Sequence, residues 1–127
     1  MAKAVGVGGV FLKAQDPQAL ARWYAGHLGI STQEGGSLTF EGPESAGTTV
    51  FAHFPADTDY LGDGSQQAMI NFRVDDLDGL LKELAAAEVR IDPRREEHEY
   101  GKFAWIWDPE GNRVELWEPV KAGHAMV

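Results

Sequence analysis

A chain of 127 residues with 43% apolar and 24% charged side chains has the balance of one globular domain with a real core. The absence of cysteine excludes a disulfide frame, a thiolate nucleophile and a zinc–thiolate site. A net charge of −9, with 11 scattered basic residues, excludes a nucleic-acid face. With no apolar run of membrane-spanning length and no signal-type leader, a cytoplasmic protein without a membrane partner is expected.

In chain order, Val5–Lys13 has the apolar density of a strand, loosened by Gly6, Gly8 and Gly9. Asp16-Pro17 reads as N-cap and first helical position. Leu20, Trp23, Tyr24 and Leu28 then recur on one helical face until Gly29 ends it. Short strands are expected at Thr32–Gln33 and Ser37–Glu41 around Gly35-Gly36, a loop over Gly42–Gly47, and a strand over Thr48–Phe54. Pro55–Gln67 is a polar connector. Its Asp57, Asp59 and Asp63 fail calcium-loop spacing because Leu61 stands at the fifth position, so a solvated loop is expected there.

The pattern then restarts. Ala68–Val74 is a strand, and Asp75 or Asp76 caps a helix whose buried stripe is Leu77, Leu80, Leu81 and Leu84. Ile91–Glu99 is strand-like and highly charged, as an edge would be. Tyr100–Pro119 is a hairpin: Phe103, Trp105 and Trp107 alternate with Ala104, Ile106 and Asp108, and Asp108–Asn112 makes the turn. The return strand sets Val114, Leu116 and Glu118 on one face and Arg113, Glu115 and Trp117 on the other. Alternation alone leaves open which sheet face carries Trp105 and Trp107.

An internal repeat is visible in the letters. A shift of 60 lays Val10–Lys13 on Ile70–Arg73, Asp16 on Asp76 and Leu20 on Leu80; a shift of 64 lays Gly47, Val50 and Pro55 on Gly111, Val114 and Pro119. The organisation expected is one domain of two β-α-β-β-β modules, 5–55 and 68–120, with a connector at 56–67 and a tail at 121–127.

Two such modules, with RVDDLDGLLKELAAAEV opening the second and DPEGNRVELWEP closing it, resemble the vicinal oxygen chelate superfamily. That superfamily includes glyoxalase I, extradiol dioxygenases and the bleomycin- and fosfomycin-resistance proteins. The resemblance runs from about Val5 to Pro119. It implies an α+β fold whose two curled mixed sheets form a cup-shaped cleft, and a homodimer in which the modules pair within one chain or swap between two.

In metal-dependent members the ligands come from the first and last strand of each module. Carried across one at a time, these positions fall on Gly9, Phe51, Met69 and Glu115, and only Glu115 keeps a ligand type. His53 adds at most a second donor where three are needed, so no cofactor is expected and a divalent metal is disfavoured. The cup then holds Phe11, Lys13, Phe51, His53, Met69, Asn71, Arg73, Glu115 and Trp117, with Tyr100 at its lip and Tyr60 from the connector. Taken singly, Phe11, Phe51 and Met69 are also ordinary core residues. As a group they make an aromatic-walled site where burial raises the Glu115 carboxyl pKa toward that of a general base, with His53 beside it.

The implied function is a glyoxalase/bleomycin-resistance-like protein that binds a small organic molecule without the family's metal. The alternative is a lyase or isomerase using Glu115 with His53, and a third reading is a partner-binding module with a degenerate cup.

Overall fold

The computed structural model describes residues 2–33, 37–40 and 47–120. Its elements are β1 (Ala4–Ala14), α1 (Pro17–Leu28), β2 (Ser31–Thr32), β3 (Leu38–Phe40), β4 (Thr49–Pro55), β5 (Ala68–Val74), α2 (Leu77–Ala86), β6 (Ile91–His98), β7 (Gly101–Trp107) and β8 (Arg113–Pro119). The order is two βαβββ modules, the α+β class expected. Expected features at Gly35-Gly36, over most of the 42–47 loop and in the tail beyond residue 120 lie outside the described residues. No described helix is long and apolar enough to cross a membrane.

Two compact units emerge. Val7–Ile70 form the first, and the described residues among Met1–Gly6 and Asn71–Val127 form the second. In the first unit β2 runs antiparallel to β3, β3 antiparallel to β4, and β4 parallel to β1. In the second, β5 runs parallel to β8, β8 antiparallel to β7, and β7 antiparallel to β6. Each parallel pair needs a crossover, which the intervening helix and hairpin strands supply. The start of β1 belongs to the second unit, where the Lys3 N–H donates to Asp75 Oδ1 at 2.9 Å.

The helix ends follow local chemistry. Asp16 Oδ1 accepts from the Ala19 N–H and Asp76 Oδ1 from the Gly79 N–H, both at 3.1 Å, so each aspartate satisfies one orphan donor of a first turn. Gly29 ends α1 in the left-handed region, at φ 69°, where a side chain would be strained. In the hairpin, Asp108 Oδ1 accepts from the N–H groups of Glu110 and Asn112, both at 2.9 Å, and Gly111 takes φ 86°.

The second unit's core is the one the leucine stripe predicts. Leu77, Val74, Ala104 and Leu116 are buried together, with Leu80, Leu81, Leu84, Phe72, Ile106 and Val114 packed against them. The first unit departs from expectation. Ala21 is the buried residue of α1, whereas Trp23 is 50% and Leu28 63% exposed. Trp23 instead stacks on His27 along the outer surface, their ring centroids 4.7 Å apart. The helix therefore turns Ala21 toward its sheet, with Leu20 and Tyr24 half-buried, while Trp23 and Leu28 of the periodic stripe face outward.

These packings predict opposite outcomes for two leucines. Leu77→Ala should lower the free energy of unfolding by about 2–5 kcal/mol in urea titrations, whereas Leu28→Ala should change it by no more than about 0.5 kcal/mol.

Candidate functional site

Glu115 sits in the middle of β8 and is only 2% exposed. Its backbone neighbours are set by two registers: Asn71 lies beside it on β5 and Trp105 opposite it on β7. Side chains of paired residues share a sheet face, so all three point the same way. Asn71 Nδ2 donates to Glu115 Oε1 at 2.6 Å, and Trp105 Nε1 donates to Oε2 at 2.9 Å. Both of these nitrogens can only donate, so each carboxylate oxygen is an acceptor held in place. The Asn71 side-chain carbonyl oxygen is also buried, and it has no hydrogen-bond partner among the described residues.

The same register places Arg73 beside Trp117, and the Arg73 guanidinium lies over the Gly6 backbone. Trp117 stacks on Phe103 at 5.9 Å, Phe103 meets the edge of Tyr100 at 5.7 Å, and Tyr100 stacks on His98 at 5.0 Å. Trp117 Nε1 donates to the Tyr100 carbonyl at 3.0 Å. Its indole lies so close to Gly101 (φ 142°) that a Cβ there would collide with it. Asn71, Arg73, Glu115, Trp117 and the aromatic run to Tyr100 thus occupy one face of the second unit, opposite the α2 core.

Sequence reasoning missed two features of this face. Trp105 anchors Glu115, and the hairpin turn was the signal: a turn over 108–112 sets Trp105 opposite Glu115. The other is Arg113, buried and ion-paired to Asp92 at 2.8 Å, with its guanidinium 5.1 Å from the Trp105 ring and 5.5 Å from that of Trp107. The Arg94 N–H, and after it Arg113, hold the Asp92 carboxyl below its ordinary range.

The first unit corrects an expectation. Phe51 and His53 were expected on the face of Phe11 and Lys13. The parallel register instead sets Phe11 beside Ala52 and Lys13 beside Phe54, with Phe51 beside Val10 and His53 beside Leu12. Phe11 accordingly meets Phe54 at 5.6 Å, while Tyr24 of α1 meets Phe51 at 4.9 Å and His53 at 5.6 Å. Phe51 and His53 therefore face α1. The structural offset between the last strands is one residue shorter than the letters indicated, and Ala52 is the counterpart of Glu115. A one-residue slip reverses every side chain of a strand.

Among the remaining expected residues, Met69 is fully buried on the same side of β5 as Asn71. Lys13 is half-buried and its Nζ reaches the Gly64 carbonyl of the connector at 3.4 Å, which is long for a hydrogen bond. Tyr60 stacks on Phe54 at 5.2 Å. Asp63 caps Ser65 at 2.8 Å, a turn contact of the kind a solvated loop makes. Both His53 ring nitrogens are buried without a partner among the described residues, and burial pushes the imidazole pKa down.

The positions at which the resemblance implies metal ligands can be tested on these contacts. A Cβ at Gly9 would stand 2.8 Å from the Phe11 ring and 3.1 Å from the Val50 carbonyl oxygen, so that position has no room for an imidazole as packed. Ala52 is apolar, the Met69 thioether is a soft ligand, and both Glu115 oxygens already accept N–H donors. Among the described residues no three His, Asp or Glu side chains gather as a metal cluster. This set does not fit a divalent ion held by three protein ligands.

The chain matches the family model of the Glyoxalase/Bleomycin resistance protein/Dioxygenase superfamily over residues 6–116. Among solved structures it is similar to methylmalonyl-CoA epimerase from Mycobacterium tuberculosis, at 19% identity over 93% of this chain and 90% of that one, with TM-score 0.67. A Streptomyces coelicolor methylmalonyl-CoA epimerase variant in complex with 2-nitronate-propionyl-CoA aligns at 13% identity over 94% and 100%, with TM-score 0.69. A glyoxalase/bleomycin resistance protein/dioxygenase superfamily member from Vibrio splendidus 12B01 aligns at 14% over 93% and 99%, with TM-score 0.56. At these identities the likeness is one of fold. No curated protein matches the sequence.

Two measurements check this geometry. Glu115→Gln replaces one acceptor by an amide N–H₂ that must face a donor, and should cost about 1–3 kcal/mol of stability by chemical denaturation. His53 has a folded pKa below its ordinary 6.5, so the unfolded chain binds the proton more readily. Above pH 6.5 its titration costs no stability, and stability falls as pH drops from there toward the folded pKa. Between pH 7.5 and pH 5, roughly the histidine range, His53→Gln should lose less stability than the wild type.

Proposed function

This chain belongs to the glyoxalase/bleomycin resistance protein/dioxygenase superfamily, and we propose that the Glu115 face of its second unit binds a small organic molecule without a catalytic metal. The observation that carries the reading is the buried Glu115–Asn71 pair, whose Asn71 carbonyl oxygen lacks a donor among the described residues. A buried acceptor without a partner is destabilising by about 1–3 kcal/mol, and a ligand hydroxyl or amine would relieve that. The half-buried Phe103 ring, stacked on the buried Trp117, supplies apolar area for the ligand's body, and Arg73 supplies a planar cation for oxygen-rich groups. In this reading Asn71, Arg73, Trp117 and Tyr100 are the ligand-binding residues. His53 receives none here, because its ring turns toward α1.

The second reading is a lyase- or isomerase-type enzyme in which Glu115 moves a proton. A carboxylate held at both oxygens in a dry site is poised for that chemistry, and relatives in fold include epimerases.

A thermal-shift screen of small alcohols, amines and carboxylates separates these readings. At least one compound is expected to raise Tm, with affinity falling tenfold or more in Glu115→Gln and in Trp117→Leu. Conversion of that compound, lost in Glu115→Gln with KM little changed, would replace the binder by the enzyme. Binding indifferent to both substitutions, or no binder at all, would overturn the site.

A further inference from the structure

We propose that the first unit carries a second small-molecule site, a pocket beneath α1 that takes a compact carboxylate bearing a hydroxyl group. The Ala21 side of α1 does not fill the space over its sheet. A cavity of about 570 Å³ remains, bordered by Ala21, Ala25 and Gln18 of α1, by Thr32 and Ser37, and by His53 of β4. That volume falls within the range of sites for small organic ligands.

The chemistry of its wall is specific. Tyr24 lies parallel to the His53 ring at 5.6 Å and Phe51 meets it edge-on at 4.7 Å, so ring contacts orient the imidazole. Both ring nitrogens are shielded and without a partner among the described residues. Burial favours the neutral ring, and a neutral imidazole presents one donor and one acceptor. A hydroxyl group, which also donates and accepts, satisfies a nitrogen once the ring turns its edge into the cavity, a rotation that ligand binding has to supply. Arg22 is the cation in the lining and is exposed to solvent, where its planar fork suits a carboxylate. The alanines of α1 leave the middle apolar, which suits a ring or short hydrocarbon between the two polar ends. None of these residues belongs to the Glu115 face, so this site stands or falls independently of it.

Amide-resolved NMR titration of the full chain with para-hydroxybenzoate tests the proposal, with the uncharged para-hydroxybenzamide as comparator. Saturable shifts are expected in α1 and β4. Arg22→Gln, at an exposed position that leaves folding intact, should weaken the carboxylate at least fivefold and leave the amide unchanged. His53→Phe should weaken both. The proposal is overturned if neither probe gives saturable shifts, if the shifts centre on Asn71, Glu115 and Trp117, or if Arg22→Gln binds both probes like the wild type.

Discussion

A carboxylate removed from water and gripped at both oxygens is the constraint on which the second unit depends. Glu115 reaches its donors only if β5 and β8 lie in one parallel register and β7 and β8 in one antiparallel register. A slip in either would leave a charge buried without partners, a penalty larger than any single apolar contact in the sheet returns. The pair of hydrogen bonds therefore acts as a register lock. It also decides which face is polar: the leucines of α2 cover the other side, and the aromatic run from Trp117 to Tyr100 stays on the face of the acid.

The first unit has the same strand order but no such lock. Its counterpart of Glu115 is Ala52, and its register rests on packing, with Phe11 lying over Gly9 and against Phe54. The helices diverge in the same sense. Four leucines of α2 fill the second unit, whereas α1 offers alanines inward and sends Trp23 and Leu28 to the surface. One topology has thus produced a tightly filled core in one copy and an unfilled space in the other. At position 9 of the first unit, the Phe11 ring occupies the space into which a side chain would project.

His53 shows how a plausible constellation can be assembled from true parts and still be wrong. It alternates correctly, it lies two residues from Phe51, and both share a face. That face is the one under α1. The error entered through the spacing of a faint repeat, where one residue of offset inverts inside and outside.

Much of this protein was legible in the letters. Aspartate caps, Gly29, the turn at Asp108–Asn112, the leucine stripe of α2 and the two βαβββ modules are all local patterns, and backbone hydrogen bonding enforces local patterns wherever they occur. The burial of Glu115 was also foreseeable, as its strand alternates and its neighbours are aromatic. Tertiary structure alone decided that Trp105 and Asn71 hold that acid, that β4 turns Phe51 and His53 toward α1, and that α1 buries Ala21 while Trp23 and Leu28 face outward. These are matters of register and of which of two faces finds cover. Alternation in a single strand is symmetric between its two sides, and only the neighbouring strand and the helix laid across it break that symmetry.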